Sequence, residues 1–472
     1  MSSGWIWLAG LVASPLAIVA ASLFRIDAER LRRLSVGAAG AMLAATIVVV
    51  ARVEPTETSI GAGVLGDTPL VRLTTLSTAL LPFAAGLWLL TVAVTPRAAL
   101  DRRGLRRTAL AALITVSTFL TQNPLVLLLL WTGSVGTFLS ALSSEAHRRQ
   151  RRIAAVYLGG STALFGAGVG LLSWPVTQGT PLETAGLWLV VVAALIRKGI
   201  LPFHAWVPEV FEHGRLGPAI LFSAPQLGAY VTAVLVVPGA SPDVLRLIAI
   251  LALATAVYGA ALALVQTSAR RACGYLFVSQ SALVMAGLDC TSATALTGGL
   301  VLWLSGGIAF AGLARCVLVL EARRGRMDLS TYHGGYERMP VLAISFLSMG
   351  LACTGFPGTL GFAGQELLVD GAVDVFPVLG FTVVIASALT GLAVMRMYFA
   401  LFCGRRSALG DPVLHFELRR REGWALASVV LVLIGFGIAP RAIVDSRFAA
   451  SDEILRMRLA QPADAAGAVT IP

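Results

Sequence analysis

The 472-residue chain is 57% hydrophobic and 13% charged, with a mean hydropathy of +0.82. Those values exclude a soluble globule and define an all-α polytopic membrane protein whose solvent is the lipid bilayer. The net charge of +11 is confined to short arginine clusters between apolar runs; that pattern orients helices in a membrane and is not a nucleic-acid-binding stripe.

The N-terminal run MSSGWIWLAGLVASPLAIVAASLF lacks the basic start of a signal peptide and exceeds its apolar length, so it reads as a first spanning helix. Apolar windows near the spanning length of about 20 residues follow at 4–24, 34–52, 72–95, 107–122, 124–144, 153–173, 184–208, 216–237, 244–266, 272–289, 294–320, 340–368, 376–402 and 424–440, fourteen in all. Odd-numbered connections are arginine-rich, from Arg25–Arg33 to Arg405–Arg421; even-numbered ones, such as Glu54–Asp67, Asp289–Ser292 and Asp370–Asp374, are short or acidic. The seventh, with Glu209, Glu212, His213 and Arg215, is the least distinct of the basic set. The alternation predicts arginine loops in the cytoplasm and both termini outside the cytoplasmic membrane of a bacterium. Beyond Arg441 the tail is polar and alanine-rich and reads as disordered or weakly helical.

One stretch, 183–230, organises the rest. Its apolar run is interrupted by Arg197-Lys198, breaks at Gly199 and Pro202, passes through Phe203-His204-Ala205-Trp206, and restarts after Pro218. Lys198 is the only lysine of the chain. An ammonium at mid-membrane depth costs about 2.5–3.5 kcal/mol on insertion scales, so a lysine kept there is a functional candidate. Two plainer readings compete: the chain prefers arginine throughout, and a lysine past the middle of its helix can snorkel to the interface. A second interruption lies at 351–370, where Gly355, Pro357, Gly358 and Gly361 cannot sustain a helix, and Gln365 and Glu366 follow it. Non-helical backbone at depth is tolerated only when buried in protein or lining a cavity. Two broken segments at corresponding positions point to inverted repeats around a mid-membrane ion site, although glycines also serve close helix packing alone.

Further polar residues fall within apolar windows: Thr132 with Ser134 and Thr137, Gln226 after Pro225, Ser279-Gln280-Ser281, Ser305, and Arg396 with Tyr398. Each alone is ordinary helix–helix glue, with Arg396 expected to snorkel. Together, Thr132, Lys198, Gln226, Gln280, Ser305, Gln365 and Glu366 sketch a polar line. A lysine on such a line, whose anionic partner approaches or withdraws, is driven to bind or release a proton. The five cysteines form no C-x-x-C, and no nucleotide-binding glycine pattern sits between a strand and a helix, so no redox cofactor, metal or nucleotide is expected.

The run ALIRKGILPFHAWVPE at 194–209, with LGAY at 227–230, GYLFVSQS at 274–281 and GFPGTLGF at 355–362, resembles the antiporter-like membrane subunits of respiratory complex I. These are shared with multisubunit cation/proton antiporters, membrane hydrogenases and two-component inorganic-carbon accumulators. The resemblance implies two inverted five-helix repeats with broken seventh and twelfth helices, joined by a hydrophilic axis in the membrane plane. It divides the chain into helices one to three (1–106), a first repeat (107–237), a second (238–404), and a loop, fourteenth helix and outer tail (405–472). Lys198 then corresponds to the family's seventh-helix lysine. The fifth-helix glutamate is replaced by Thr132, the eighth-helix lysine or histidine by Gln226, and the eleventh-helix histidine by Ser305. At the twelfth-helix position stands Gln365, with Glu366 as a neighbour about 100° around the helix. His204 and Trp206 are expected to pack.

The function these features imply is proton translocation by a non-redox membrane subunit, without a cofactor of its own, alongside other membrane subunits of a complex I-like assembly. The alternatives are a cation/proton antiporter subunit with Asp370 or Asp374 at the ion's way in, the membrane subunit of an inorganic-carbon uptake pair with a zinc-bearing partner, and a structural spacer with a degenerate channel.

Overall fold

A computed structural model describes residues 2–52, 59–60, 68–97, 100–174, 180–375, 377–404 and 418–459. The expectations for the loop at 405–417, for most of 53–67 and for the tail beyond 459 lie outside them. Each of the fourteen apolar windows coincides with helix among the described residues: Ser2–Ala21, Ala28–Arg52, Thr75–Val94, Arg102–Phe119, Pro124–Ala141, Arg148–Leu172, the interrupted pair Pro181–Lys198 and Trp206–His213, the pair Leu216–Ser223 and Leu227–Val231, Pro242–Val265, Ala269–Asp289, Ala293–Arg324, the interrupted pair Pro340–Cys353 and Leu360–Val375, Pro377–Phe402, and Arg420–Ile438. These are called here the first to fourteenth segments. Among the described residues eleven helical runs are long and apolar enough to cross a membrane. The only described strands, Ser59–Ile60 and Val71–Arg72, form a small antiparallel pair before the third segment.

Apolar helices in lipid gain nothing from hydrophobic transfer against one another, so packing depends on close backbone approach. The tenth and eleventh segments illustrate this, since a Cβ on Gly287 would lie 2.6 Å from Gly299 Cα. The eleventh segment is almost wholly enclosed by its neighbours, and the tenth entirely so. Helix starts are capped as their sequences require. Asp101 accepts from Gly104 N at 2.7 Å, and Asn123 Oδ1 from Leu125 N and Val126 N at 3.0 and 3.2 Å.

The seventh connection belongs with the basic face. Its Glu212 pairs with Arg271 at 2.9 Å and its Glu209 lies 3.8 Å from Arg149, so its acids sit among the arginines of neighbouring connections. Arg396 donates to Gln266 O at 2.7 Å and to Leu264 O, capping the ninth segment's last carbonyls beside the basic connection.

The expectation of a disordered or weakly helical tail fails for Arg441–Leu459, which is a docked helix. Arg447 is 1% exposed; it donates to Leu76 O at 3.0 Å, Thr75 O at 2.8 Å and Thr78 Oγ1 at 3.0 Å. Glu453 accepts from Thr75 N at 3.2 Å at the third segment's start, where a carboxylate also meets the positive end of the helix dipole. Arg458 donates to Val237 O and Ser451 to Ala293 O. The tail helix therefore ties the ends of the third, eighth and eleventh segments together. Arg447→Ala is expected to lower stability by about 2–3 kcal/mol, the scale of charge-assisted bonds lost from a buried site, read as a lower melting temperature and earlier proteolysis of the tail in detergent.

Candidate functional site at three broken helices

The seventh segment stops at Lys198 because Gly199 turns left-handed, φ 70° and ψ 37°, a conformation glycine adopts without Cβ strain. A Cβ there would also lie 2.7 Å from Val207 Cγ2. Backbone groups freed at a break inside lipid must find partners within the protein. Here Ile200 N donates to Leu195 O at 3.0 Å, and the Trp206 indole to Ile196 O at 2.9 Å. The Ser281 hydroxyl donates to Lys198 O at 3.2 Å, and Leu201 N to Thr255 Oγ1 at 3.1 Å. The break is thus closed by the ninth and tenth segments together with its own continuation. Pro202 follows a cis peptide bond.

The eighth segment is broken as well, at Pro225-Gln226. A proline inside a helix removes one donor and crowds the preceding turn. Gln226 then takes φ 53°, ψ 50°; it is the only described non-glycine residue with positive φ. Such a conformation costs about 1–3 kcal/mol and persists where surrounding structure imposes it. The Trp303 indole donates to the freed Pro225 carbonyl at 3.1 Å. The run 232–236 continues as a π-helical turn, a feature frequent at functional sites.

Between these breaks lies Lys198, 2% exposed, whose ammonium donates to Gln226 Oε1. Gly228 makes room for its stem: a Cβ there would lie 2.8 Å from Lys198 Cγ. Lys198 does not snorkel. Arg197, its neighbour, points the other way. It reaches Ser134 Oγ of the fifth segment at 2.5 Å, and its guanidinium carbon lies 4.2 Å from the Trp131 ring centroid and 4.6 Å from that of Phe222. Two adjacent cations therefore serve opposite sides of the break, Arg197 the fifth helix and Lys198 the eighth.

The remaining candidates divide. Gln280, 5% exposed, donates to Cys353 O at 2.9 Å and so closes the twelfth-segment break. Gln365 donates to Ser387 Oγ and lies over Gly355, where a Cβ would strike its amide. Gly355 and Gly358 both have positive φ, at 72° and 86°, and Pro357 between them is exposed. Ser305 is fully buried, but its hydroxyl returns to Val301 O of its own helix at 3.0 Å. His204 packs edge-on to Tyr258, centroids 5.0 Å apart. Two candidates lie on outward faces of their helices. Thr132 is exposed, its hydroxyl bonded to Leu128 O of its own helix, and Glu366 is exposed on the outer side of the twelfth segment. Neither joins an interior line.

The sequence places Asp289 at the start of a short acidic connection. It is the last residue of the tenth segment, 1% exposed, and among the described residues neither carboxylate oxygen has a hydrogen-bond partner. It lies within electrostatic reach of the Lys198 ammonium. The signal that could have found it is its position closing a helix that already carries Ser279-Gln280-Ser281. The break in the eighth segment could likewise have been read from a Pro-Gln pair in mid-window.

Residues 153–390 match the family described as NADH:quinone oxidoreductase/Mrp antiporter, TM. That is half of the chain, and the chain belongs to this family of integral, multi-pass membrane proteins. A relative, NADH-quinone oxidoreductase subunit M of Rickettsia typhi, is 24% identical over 277 residues, covering 57% of this chain and 56% of the relative. The chain thus spans about half the length of the curated relatives it matches. Among solved structures, a chain of respiratory complex I from Thermus thermophilus with bound NADH superposes with TM-score 0.84 at 19% identity, covering 95% of this chain and 99% of that one. A chain of the Mrp complex from Dietzia sp. DQ12-45-1b gives 0.82 at 16%, covering 97% and 100%. At these identities the likeness concerns the fold.

Ser281 and Ser305 are both buried hydroxyls, yet only Ser281 satisfies a carbonyl at a break. Ser281→Ala is expected to cost about 1–3 kcal/mol, the cost of an unpaired buried carbonyl, and Ser305→Ala under about 1 kcal/mol. Paired thermal melts measure the difference.

Proposed function

We propose that the chain is a proton-translocating membrane subunit of a multisubunit assembly, in which Lys198 binds and releases the transferred proton. The observation that carries this reading is the Lys198–Gln226 contact, made across two interrupted helices by a residue held in a left-handed conformation. An amide offers both an acceptor and a donor, so Gln226 can accept from the ammonium and, with its amide turned, donate to the neutral amine. Gln226 itself carries no charge; it holds the lysine in place in both states. Asp289 supplies the second titratable station, in the position of an anion toward which the proton moves, at the end of the tenth segment that meets the short acidic connections. Transfer from the ammonium to the carboxylate leaves both groups neutral, the state that costs least in a low-dielectric interior.

In this reading the arginine connections face the cytoplasm, both termini lie outside, and segments four to eight and nine to thirteen form inverted repeats at 107–237 and 238–404. The breaks in the seventh and twelfth segments support that division by their corresponding positions. The names of similar proteins, a quinone oxidoreductase subunit and chains of respiratory and Mrp complexes, support neighbouring membrane subunits as partners.

In inverted vesicles bearing the assembled complex, Lys198→Ala is expected to abolish proton movement while assembly is retained. Asp289→Asn should lower the rate by about 100-fold, the scale of a lost proton-transfer group. Glu366→Gln and Thr132→Val, which alter outward-facing side chains, should leave it unchanged. Full transport by an assembled Lys198→Ala complex would mean that the chain serves as a spacer. A requirement for sodium in the same assay would favour cation antiport.

A further inference from the structure

A cavity of about 470 Å³ opens on the basic face between the third, fourth, fifth and eighth segments. Five arginines line it, Arg107, Arg197, Arg215, Arg270 and Arg315, and Asp101 is the only carboxylate among its described lining residues. One of these cations, Arg270, is paired with Glu321 at 2.6 Å, and the Asp101 carboxylate is engaged as a helix cap. The two deepest guanidiniums are different. Arg315 is 1% exposed and donates to Thr91 Oγ1 at 2.9 Å and more distantly to Thr91 O and Gly217 O, but its Nε has no partner among the described residues. Arg197 is 6% exposed, and its Nη1 likewise has no partner among the described residues. Among the described residues neither forms an ion pair. A guanidinium keeps its proton, so burying two of them without an anion leaves a large desolvation cost only partly offset by hydroxyls, carbonyls and aromatic faces.

We propose that this cavity binds an oxyanion of the phosphate class, held by Arg197 and Arg315 at its floor and drawn in by Arg107 and Arg215 at its mouth. Planar guanidiniums match phosphate oxygens two at a time, and both deep arginines line the cavity without an acidic partner among the described residues. The remaining wall is largely apolar, including Leu105, Phe138, Leu221 and Leu318. The phosphate is either free or the headgroup of an anionic phospholipid whose chains lie along that wall. The site is separate from proton transfer at Lys198, which faces the eighth segment on the other side of the break, and either reading can fail without the other.

The test uses the full chain, delipidated in neutral detergent, with melting temperature followed against inorganic phosphate at constant ionic strength set with chloride. A second arm follows the chain in nanodiscs of phosphatidylcholine with increasing phosphatidylglycerol. A saturable rise in melting temperature, weakened about tenfold in apparent affinity by Arg315→Gln and by Arg107→Gln, as for a lost charge-assisted contact, supports the site. A response to phosphate assigns a free anion, and one to phosphatidylglycerol alone assigns a lipid headgroup. Should Arg315→Gln fail to fold, Arg107→Gln at the mouth decides. No stabilisation by either ligand beyond that of chloride, or equal stabilisation of wild type and Arg107→Gln, would overturn it.

Discussion

The central constraint is the cost of holding one ammonium in the interior of a lipid-embedded bundle. Lys198 is enclosed on all sides and finds its hydrogen-bond acceptor in Gln226, a residue that reaches it only because the eighth segment is interrupted. Two helices are broken to make one contact. Every broken end then needs its own donors and acceptors, and the tenth, ninth and eleventh segments supply them through Ser281, Thr255 and Trp303. The enclosure of those segments, and the glycines that let them approach, follow from this need. A break that sits in lipid is unstable; a break that sits among partners is a site.

Much of the architecture was legible because hydropathy is a one-dimensional property. Segment length, arginine alternation and the glycine-proline interruptions can be counted without knowing which way a side chain points. Phase could not be counted. Thr132 and Glu366 each lie on an apolar helix whose residues carry little contrast between lipid-facing and protein-facing sides, so one position, about 100° of rotation, separates an interior group from an outward one. The adjacent pair Arg197-Lys198 shows the same limit: the residue that meets the fifth helix is the arginine, while the lysine turns to the eighth.

The missed residues share a cause. Asp289 stands at a window's edge, where an acidic residue reads as a loop residue, and its burial arises from neighbours far away in sequence. The tail helix Arg441–Leu459 has little apolar character, and its order comes from Arg447 and Glu453 meeting the start of the third segment. Such long-range contacts leave no periodic trace. The arginine-lined cavity is similar, since its cations come from five separate stretches that only the fold brings together.

Because Lys198 is the only lysine, ¹⁵N-lysine labelling of the chain yields a single side-chain nitrogen resonance. Enclosure against Gln226 predicts that its protons are protected from exchange with bulk water and that its shift moves in the Gln226→Leu variant, which removes the acceptor. A resonance that exchanges as freely as that of aqueous lysine and is indifferent to Gln226 would contradict the claim that this amine is held in the interior by the broken eighth helix.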